Sequence, residues 1–249
     1  SGEHDFSHDI FVYNLTRGRE IDITPDERCG SPGNQYPEQT DPAIDGHNIV
    51  WVDGRNIYSD IYLYDLNLET ETLVTPQTTN SNQVDPSVSG DRIVWSDDRN
   101  KGDFLYDIYL YSITTGEEVL LSPDMISVSL EHPQLFGDYM VCDGFDQNNG
   151  SYDIYLCDVS TGVWTLLTPD TPWSDQKHAD ISGDYIVWDG IDEMQGTLDI
   201  YLYNLSSGIT SIITAGTFSS SQMNPKIDGN TIVWEDNRVE GGWDCDIVL

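Results

Sequence analysis

A five-residue motif, Asp-Ile-Tyr-Leu-Tyr, recurs along the whole chain at a nearly constant interval. Its copies begin at Asp9, Asp60, Asp107, Asp153, Asp199 and, in shortened form, Asp246, so that successive copies lie 51, 47, 46, 46 and 47 residues apart. A second motif, Ile-Val-Trp, runs in phase with the first and begins at Ile49, Ile93, Ile186 and Ile232, with Met140-Val-Cys142 in the third repeat. A period in the forties indicates stacked structural repeats.

Each repeat contains four strand-like segments and no helical periodicity. A short segment leads through an Asp/Gly turn such as Asp45-Gly46 into Ile-Val-Trp, and Asp-Ile-Tyr-Leu-Tyr follows after a polar loop. A fourth segment, such as residues 71–75, ends at a proline. Short antiparallel strands with frequent turns are typical of propeller blades. We therefore predict an all-β fold, a five-bladed β-propeller of four-stranded antiparallel blades, with residues 1–249 as a single domain.

The two ends of the sequence supply the parts of one blade. Residues 1–8 are a polar leader, and residues 9–24 contain two strands that we expect to complete the last blade, so that interleaved N- and C-terminal strands close the ring. Six copies of the third strand are present for five blades. The surplus copy is displaced, or the chain is a piece of a longer array, or the spare strand pairs with another molecule.

The net charge of −34 constrains the partners of this chain. Nucleic acid and anionic membranes are excluded as partners by charge repulsion. No apolar run approaches the roughly 18 residues that span a bilayer, so membrane insertion is not expected. A glycan or a cationic partner remains. The acidic residues have two readings: a solvated surface of the kind found in proteins adapted to salt, or a set of ligands for Ca²⁺.

Two cysteines replace aromatic residues within one repeat. Cys142 stands where other repeats have Trp, and Cys157 stands where they have the last Tyr, so we predict a Cys142–Cys157 disulfide. A second bridge, Cys29–Cys245, would tie the chain ends together. Disulfides indicate an extracellular or cell-surface setting. Three sites match the glycosylation pattern and point the same way: Asn14, Asn149 and Asn204.

The repeat unit resembles that of a known family. Pro-x-Ile-x-Gly-Asp-x-Ile-Val-Trp-x-Asp-x-Arg, followed by Asp-Ile-Tyr-Leu-Tyr-Asn-Leu and Leu-Ile-Thr, is similar to the repeats of TolB-like β-propellers over residues 9–249. The first turns read Ile-Asp-Gly or Val-Ser-Gly-Asp instead of Ser-Pro-Asp-Gly. That departure favours the variants found in archaeal and bacterial cell-surface proteins. The resemblance implies the fold and leaves the activity open, because propellers support many functions.

Acidic loops follow the Ile-Val-Trp strands. In three repeats an Asp precedes an Arg by two residues (Asp53 and Arg55, Asp97 and Arg99, Asp236 and Arg238), which predicts an ion pair that pins the loop. The third and fourth repeats have Asp146 and Asp192 where the Arg would stand. Carboxylates that cluster without a cation repel one another or bind a metal. We therefore expect either solvated loops or calcium sites, with these ligands: Asp143, Asp146, Asp153, Asp189, Asp192 and Asp199.

A second candidate site lies at the start of the innermost strands. In a propeller these positions face the central channel at one mouth, where they form either a hydrated polar ring or a ligand site. The residues are Asp41, Asp85, His132, His178 and Asn224.

Three functions remain in view. No hydrolase elbow, zinc-protease motif or phosphate loop is present, which favours a non-catalytic extracellular module of a cell surface, sheath or fibre that binds or assembles. One alternative is a polysaccharide-acting enzyme with its site around His132 and His178, because glycosidase carboxylates need no local motif. The other is a carbohydrate-binding module that uses Trp164, Trp173 and Trp243.

Overall fold

The computed structural model describes residues 8–24, 38–75, 80–100, 105–122, 127–168, 174–191, 196–214 and 220–238, together with the backbone of residues 246–248. Every regular element in these ranges is a strand. Within the same ranges no helix is long and apolar enough to cross a membrane. The chain divides into two compact units, Ser1–Leu120 and Leu121–Leu249, and each is described by itself.

The first unit contains a hairpin and two four-stranded antiparallel sheets. The hairpin consists of β1 (Phe11–Asn14) and β2 (Arg19–Asp22). The first sheet contains β3 (Gln39–Asp45), β4 (Asn48–Asp53), β5 (Asp60–Asp65) and β6 (Thr70–Leu73). The second sheet contains β7 (Gln83–Ser89), β8 (Arg92–Asp97), β9 (Asp107–Ser112) and β10 (Glu118–Leu120).

The second unit contains two four-stranded sheets and one three-stranded sheet. The third sheet of the chain contains β11 (Val128–Phe136), β12 (Tyr139–Asp146), β13 (Ser151–Asp158) and β14 (Val163–Leu166). The fourth contains β15 (Gln176–Ser182), β16 (Tyr185–Ile191), β17 (Leu198–Asn204) and β18 (Ile209–Ile212). The fifth contains β19 (Gln222–Asp228), β20 (Thr231–Asp236) and β21 (Asp246–Val248).

Successive sheets within a unit pack face to face. In the first unit Val50 and Ile61 of one sheet join Val88 and Trp95 of the next in a single apolar cluster. In the second unit Ile154 packs in the same way with residues of the fourth sheet. The middle strands are buried on both faces, because each is covered by a neighbouring sheet on either side. The predicted all-β fold of four-stranded antiparallel sheets is therefore confirmed, while five blades in a closed ring stay a prediction.

A threonine fastens the end of the fourth strand to the start of the third. The backbone N–H of Ile61 donates to Thr75 Oγ1 at 3.0 Å, and the same bond joins Ile154 to Thr168 at 3.0 Å. The threonine hydroxyl then donates to the aspartate that opens the third strand, as Thr168 does to Asp153 at 2.8 Å. The recurring Asp of the Asp-Ile-Tyr-Leu-Tyr motif therefore has a structural role.

Candidate functional site

The first strand of every sheet bends at one residue with a left-handed backbone. Their φ angles are 52° at Asp41, 54° at Asp85, 52° at His132, 57° at His178 and 53° at Asn224. At each of these points the pairing with the second strand shifts by one residue, which defines a β-bulge. Asp, Asn and His tolerate this conformation better than other non-glycine residues. The five residues predicted for the channel mouth are therefore the five bulge residues.

The bulge turns each side chain toward the second strand of its own sheet. His132 Nδ1 lies 3.3 Å from Asp143 Oδ2, and His178 Nδ1 lies 2.8 Å from Asp189 Oδ2. In the fifth sheet Asn224 Nδ2 donates to Glu235 Oε1 at 3.1 Å. Because a carboxylate only accepts, Nδ1 of each imidazole carries the proton that it shares.

The same acids also bind the backbone of the next sheet. Asp143 accepts hydrogen bonds from the N–H groups of His178 at 3.0 Å and Ala179 at 3.2 Å. Asp189 accepts one from the N–H of Asn224 at 2.7 Å. A chain of polar contacts therefore runs through all three sheets of the second unit. We call it the histidine row, which comprises His132, Asp143, His178, Asp189, Asn224 and Glu235.

Burial divides the histidine row into supports and exposed groups. The side chains of Asp143 and Asp189 are buried, whereas those of His132 and His178 are 54% and 45% exposed. The pKa of His178 is raised, chiefly by its hydrogen bond to Asp189 and further by the charges of Asp189 and Asp143, against the opposing effects of burial and of His132. The row thus presents imidazoles of fixed orientation on buried acids.

The first unit has the bulges without the acids. Asp41 is exposed and accepts a bond from Thr40 Oγ1 at 2.9 Å, and the residue that corresponds to Asp143 is Val52. In the second sheet the corresponding residue is Ser96. The bulge residues of the first unit are therefore acids, whereas those of the second unit are donors supported by acids. The structure brings His132, His178 and Asn224 into one array, and the common channel mouth stays a prediction.

The six predicted metal ligands do not converge. Gly144 pairs with Asp153, and Gly190 pairs with Asp199, so each of these aspartates lies on the face opposite to Asp143 or Asp189. Asp146 is at the end of its strand and binds Asn148 in a tight turn. Among the described residues no three His, Cys, Asp or Glu side chains could hold a metal ion together. The cluster predicted from Asp143, Asp146 and Asp153 is therefore wrong, and Asp192 lies outside the described residues.

The predicted acid–arginine pairs are confirmed in the first, second and fifth sheets. Asp53 Oδ2 lies 2.6 Å from Arg55 Nη2, and the same distance joins Asp97 to Arg99. The Arg55 guanidinium also stacks on Tyr62, at 3.9 Å from the ring centre. The remaining pair, Asp236 with Arg238, is also at 2.6 Å. We call these pairs the arginine clamps.

Glycine replaces the clamp aspartate in the third and fourth sheets. A Cβ at Gly190 would collide with the side chain of Gln176, whose Oε1 accepts a bond from Trp188 Nε1 at 2.9 Å. In the third sheet the ring of Tyr155 occupies the equivalent space beside Gly144. The acid has therefore moved one position along the strand, from the clamp face to the face of the histidine row.

The predicted Cys142–Cys157 disulfide is not formed, and both residues are buried free thiols. Cys142 lies opposite Tyr155, and Cys157 lies opposite Met140, so the two cysteines are diagonal neighbours. Diagonal neighbours are about 7–8 Å apart, which exceeds the reach of a disulfide. Burial raises the pKa of Cys157 to about 12 and that of Cys142 well above its ordinary value. Cys29 and Cys245 lie outside the described residues.

The remaining predicted residues have local roles. Trp164 Nε1 donates to the carbonyl of Leu121 at 2.7 Å, while Trp173 and Trp243 lie outside the described residues. The side-chain oxygens of the three predicted glycosylation sites accept bonds from nearby backbone N–H groups; these residues are Asn14, Asn149 and Asn204. Glycosylation at these positions stays a prediction.

Glu235 was not predicted as a site residue. The usable signal lay directly after the Ile-Val-Trp motif, where acids follow in the third, fourth and fifth repeats and Val52 and Ser96 follow in the first two. The same three repeats have His or Asn at the bulge. This pairing of an acid with a donor marks the histidine row.

Comparison with known proteins identifies the fold. No family model matches the sequence, and no curated protein is similar to it. Solved structures are similar: TolB from Acinetobacter baumannii has a TM-score of 0.57 and 17% identity over 92% of this chain and 56% of its own. Oligogalacturonate lyase in complex with manganese has a TM-score of 0.61 and 13% identity over 97% and 71%. A prolyl endopeptidase has a TM-score of 0.65 and 13% identity over 88% and 34%.

These likenesses confirm the propeller-type fold expected from the TolB-like repeats, and at such identities they show the fold alone. The chain spans little more than half the length of the TolB structure that it matches.

Proposed function

We propose that this chain is a non-catalytic β-propeller module that works outside the cell, on a cell surface, sheath or fibre, and that it binds a glycan at the histidine row. The proposal includes the finer fold: five sheets as blades of one ring, closed by interleaved terminal strands. The resemblance of the repeats to those of archaeal and bacterial cell-surface proteins supports the location.

One observation carries the binding site. Half-exposed imidazoles occur in two consecutive sheets, and in each the Nδ1 atom is fixed by a buried carboxylate. Strained backbone at a bulge is characteristic of functional positions. These sheets also lack the arginine clamp, so the acid serves the histidine instead of the loop. Fixed rings with exposed edges form a preorganised polar surface, which lowers the entropic cost of binding.

The chemistry of the row favours a neutral glycan. Imidazole and amide groups donate to and accept from sugar hydroxyls. The net charge of −34 repels acidic ligands over most of the surface. We therefore expect neutral oligosaccharides to bind more tightly than uronate oligomers of the same length.

Titration of the protein with neutral and acidic oligosaccharides, followed by the imidazole signals in NMR spectra, tests this proposal. We expect the signals of His132 and His178 to shift, and His178→Ala to weaken binding at least tenfold. His47→Ala is a matched control, because His47 is also half-exposed and lies beside an acid, Asp65, in the first unit. Unchanged affinity in His178→Ala, or no binding across the panel, would refute the site.

The same geometry supports a second function, a polysaccharide-acting enzyme. An imidazole whose Nδ1 is held by a carboxylate has the tautomer and orientation of a general base. An oligogalacturonate lyase and a prolyl endopeptidase are among the similar structures. Release of new chain ends from a glycan panel, lost in His178→Ala and retained in His47→Ala, would establish this function. The absence of turnover across the panel would reject it.

Calcium stays a proposal for the loop of the fourth sheet, where Asp189 and Asp199 flank Asp192. A melting temperature that rises in CaCl₂ and falls back with chelator is the expected sign of such a site.

A further inference from the structure

In three sheets the tryptophan of the second strand stacks on an aromatic ring of the third strand. The ring centres are 5.9 Å apart for Trp51 and Tyr62, 6.0 Å for Trp95 and Tyr109, and 5.6 Å for Trp188 and Tyr201. The partners lie directly opposite each other in the ladder. All three tryptophans are fully buried. This stack is therefore a regular part of a complete sheet.

The hairpin of β1 and β2 corresponds to the third and fourth strands of a sheet. The N–H of Ile23 donates to the carbonyl of Ile10 at 3.1 Å, as Val74 does to Ile61 at 2.9 Å. The N–H of Ile10 also donates to Thr24 Oγ1 at 2.9 Å, which repeats the threonine fastening of the complete sheets. By this correspondence β1 is a third strand without a second strand beside it.

Phe11 shows what β1 lacks. It occupies the position of Tyr62, but it is 54% exposed, whereas Tyr62 is 7% exposed. Tyr13 on the same strand is also exposed. Among the described residues β1 forms a ladder with β2 alone, so its other edge is open. An open edge with exposed apolar side chains is a template for strand addition.

The fifth sheet has the opposite deficiency. Trp234 of β20 lies opposite Val248, so no aromatic residue faces it in the ladder. Trp234 is only partly buried, and within the described part of the chain its Nε1 atom has no hydrogen-bond partner. The third strand, β21, makes three ladder pairs with β20, whereas β5 makes six with β4. The fifth sheet thus has a second strand with an incomplete third-strand partner.

We propose that the hairpin of one molecule adds to β20 of a second copy of this chain and replaces β21 there. By analogy with the first sheet, Phe11 then lies opposite Trp234, Val12 opposite Val233 and Tyr13 opposite Ile232. The hairpin brings both the missing aromatic ring and a fourth strand. Exchange of one element between identical chains is a common route to oligomers. The partner surface is thus β20, and the ligand is the hairpin of a second copy.

This inference concerns the assembly part of the proposed function and does not depend on the histidine row. Sugar binding and assembly can therefore fail separately: loss of one in a variant leaves the other to be measured.

A disulfide trap distinguishes addition between molecules from pairing within one. Tyr13→Cys is made in one chain and Ile232→Cys in another, the two are mixed at high concentration, and mild oxidant is added. Directly opposite residues lie about 4.5–5.5 Å apart, within disulfide range. We expect dimers joined through positions 13 and 232, identified by peptide mass. Asp228→Cys, placed on the neighbouring strand β19, is the out-of-register control and should not form the bond.

Light scattering of single variants provides a test without cross-linking. Phe11→Asp should abolish the concentration-dependent growth in mass, because a charge would face Trp234. Leu15→Asp is the matched control, since Leu15 is an exposed apolar residue in the turn of the same hairpin and outside the pairing. Three results would overturn the proposal: a monomer at all concentrations, equal growth in both variants, or a 13–232 bond that forms only within a chain that carries both cysteines.

Discussion

At the scale of single residues, the histidine row depends on the balance of charge around His178. Its imidazole binds Asp189 at 2.8 Å, and its backbone N–H binds Asp143 at 3.0 Å. Both acids favour the protonated ring, while burial and the neighbouring His132 oppose it. The acids prevail, and the pKa of His178 is raised. His178 therefore keeps its proton to a higher pH than an exposed histidine.

This shift predicts how stability depends on pH. Because the folded-state pKa of His178 exceeds its unfolded value of about 6.5, its contribution is complete below that value and is lost as pH rises through the folded-state pKa. Asp189→Asn removes the main cause, so the pKa of His178 should fall and the decline in stability between pH 6 and 8 should become shallower. Imidazole NMR titration and urea unfolding at both pH values measure the two effects. Equal pKa values in both proteins would contradict the assignment.

Sequence reasoning located the bulge residues but misplaced their acids. Asp143 and Asp189 look equivalent to Asp53 and Asp97, because each is an Asp near the end of an Ile-Val-Trp strand. They stand one residue earlier, and a displacement by one residue moves a side chain to the other face of a strand. The opposed faces were invisible until the register fixed Gly144 and Gly190 at the clamp positions.

At the scale of elements, the arginine clamps join a loop to two strands. Arg99 binds Asp97 of β8 at 2.6 Å and Glu118 of β10 at 2.6 Å, and it stacks on Tyr109 of β9 at 4.1 Å. Trp95 Nε1 donates to the same aspartate at 3.1 Å. The clamp therefore ties the core tryptophan to the edge of the sheet. Asp97 is fully buried, so its charge depends on this cation.

The two ends of the series of clamps should differ in strength. Arg99→Ala leaves a buried carboxylate without its cation, which should cost about 3 kcal/mol of unfolding free energy. Arg238→Ala should cost about 1 kcal/mol or less, because Arg238 is 48% exposed whereas Arg99 is 17% exposed, and water can solvate the aspartate that it leaves. Urea unfolding of the two variants makes the comparison. Equal losses would mean that burial of the arginine does not set the strength of the clamp.

The cysteine pair shows a limit of the same kind at the level of the sheet. The two replacements share one repeat and adjacent strands, as the sequence indicated. Whether they can bond depends on whether they are direct or diagonal neighbours, and the motifs do not fix this within two residues. The register places Tyr155, not Cys157, opposite Cys142.

At the scale of the whole molecule, periodicity predicted the repeated sheet well, because the same few side chains are needed in each copy. The Ile-Val-Trp and Asp-Ile-Tyr-Leu-Tyr motifs pair in the same register in every sheet from the first to the fifth, apart from the shortened last strand. The functional differences lie where repeats deviate. A comparison of repeats at each position, rather than a search for known motifs, is what finds the histidine row.

The net charge makes a last prediction that concerns the molecule as a whole. The chain has 44 acidic and 10 basic side chains, so most carboxylates have no cation to pair with and repel one another. Salt weakens the few ion pairs, but it also screens this repulsion, and the Debye length falls from about 30 Å at 0.01 M to about 3 Å at 1 M. Because unpaired acids outnumber the pairs, screening should prevail, and the melting temperature should rise by several degrees between 0.01 and 1 M NaCl. KCl should act equally, since screening is not specific to one cation. A larger rise in CaCl₂ at the same ionic strength would reveal specific calcium binding, whereas a fall in NaCl would mean that the ion pairs, the arginine clamps among them, outweigh the repulsion.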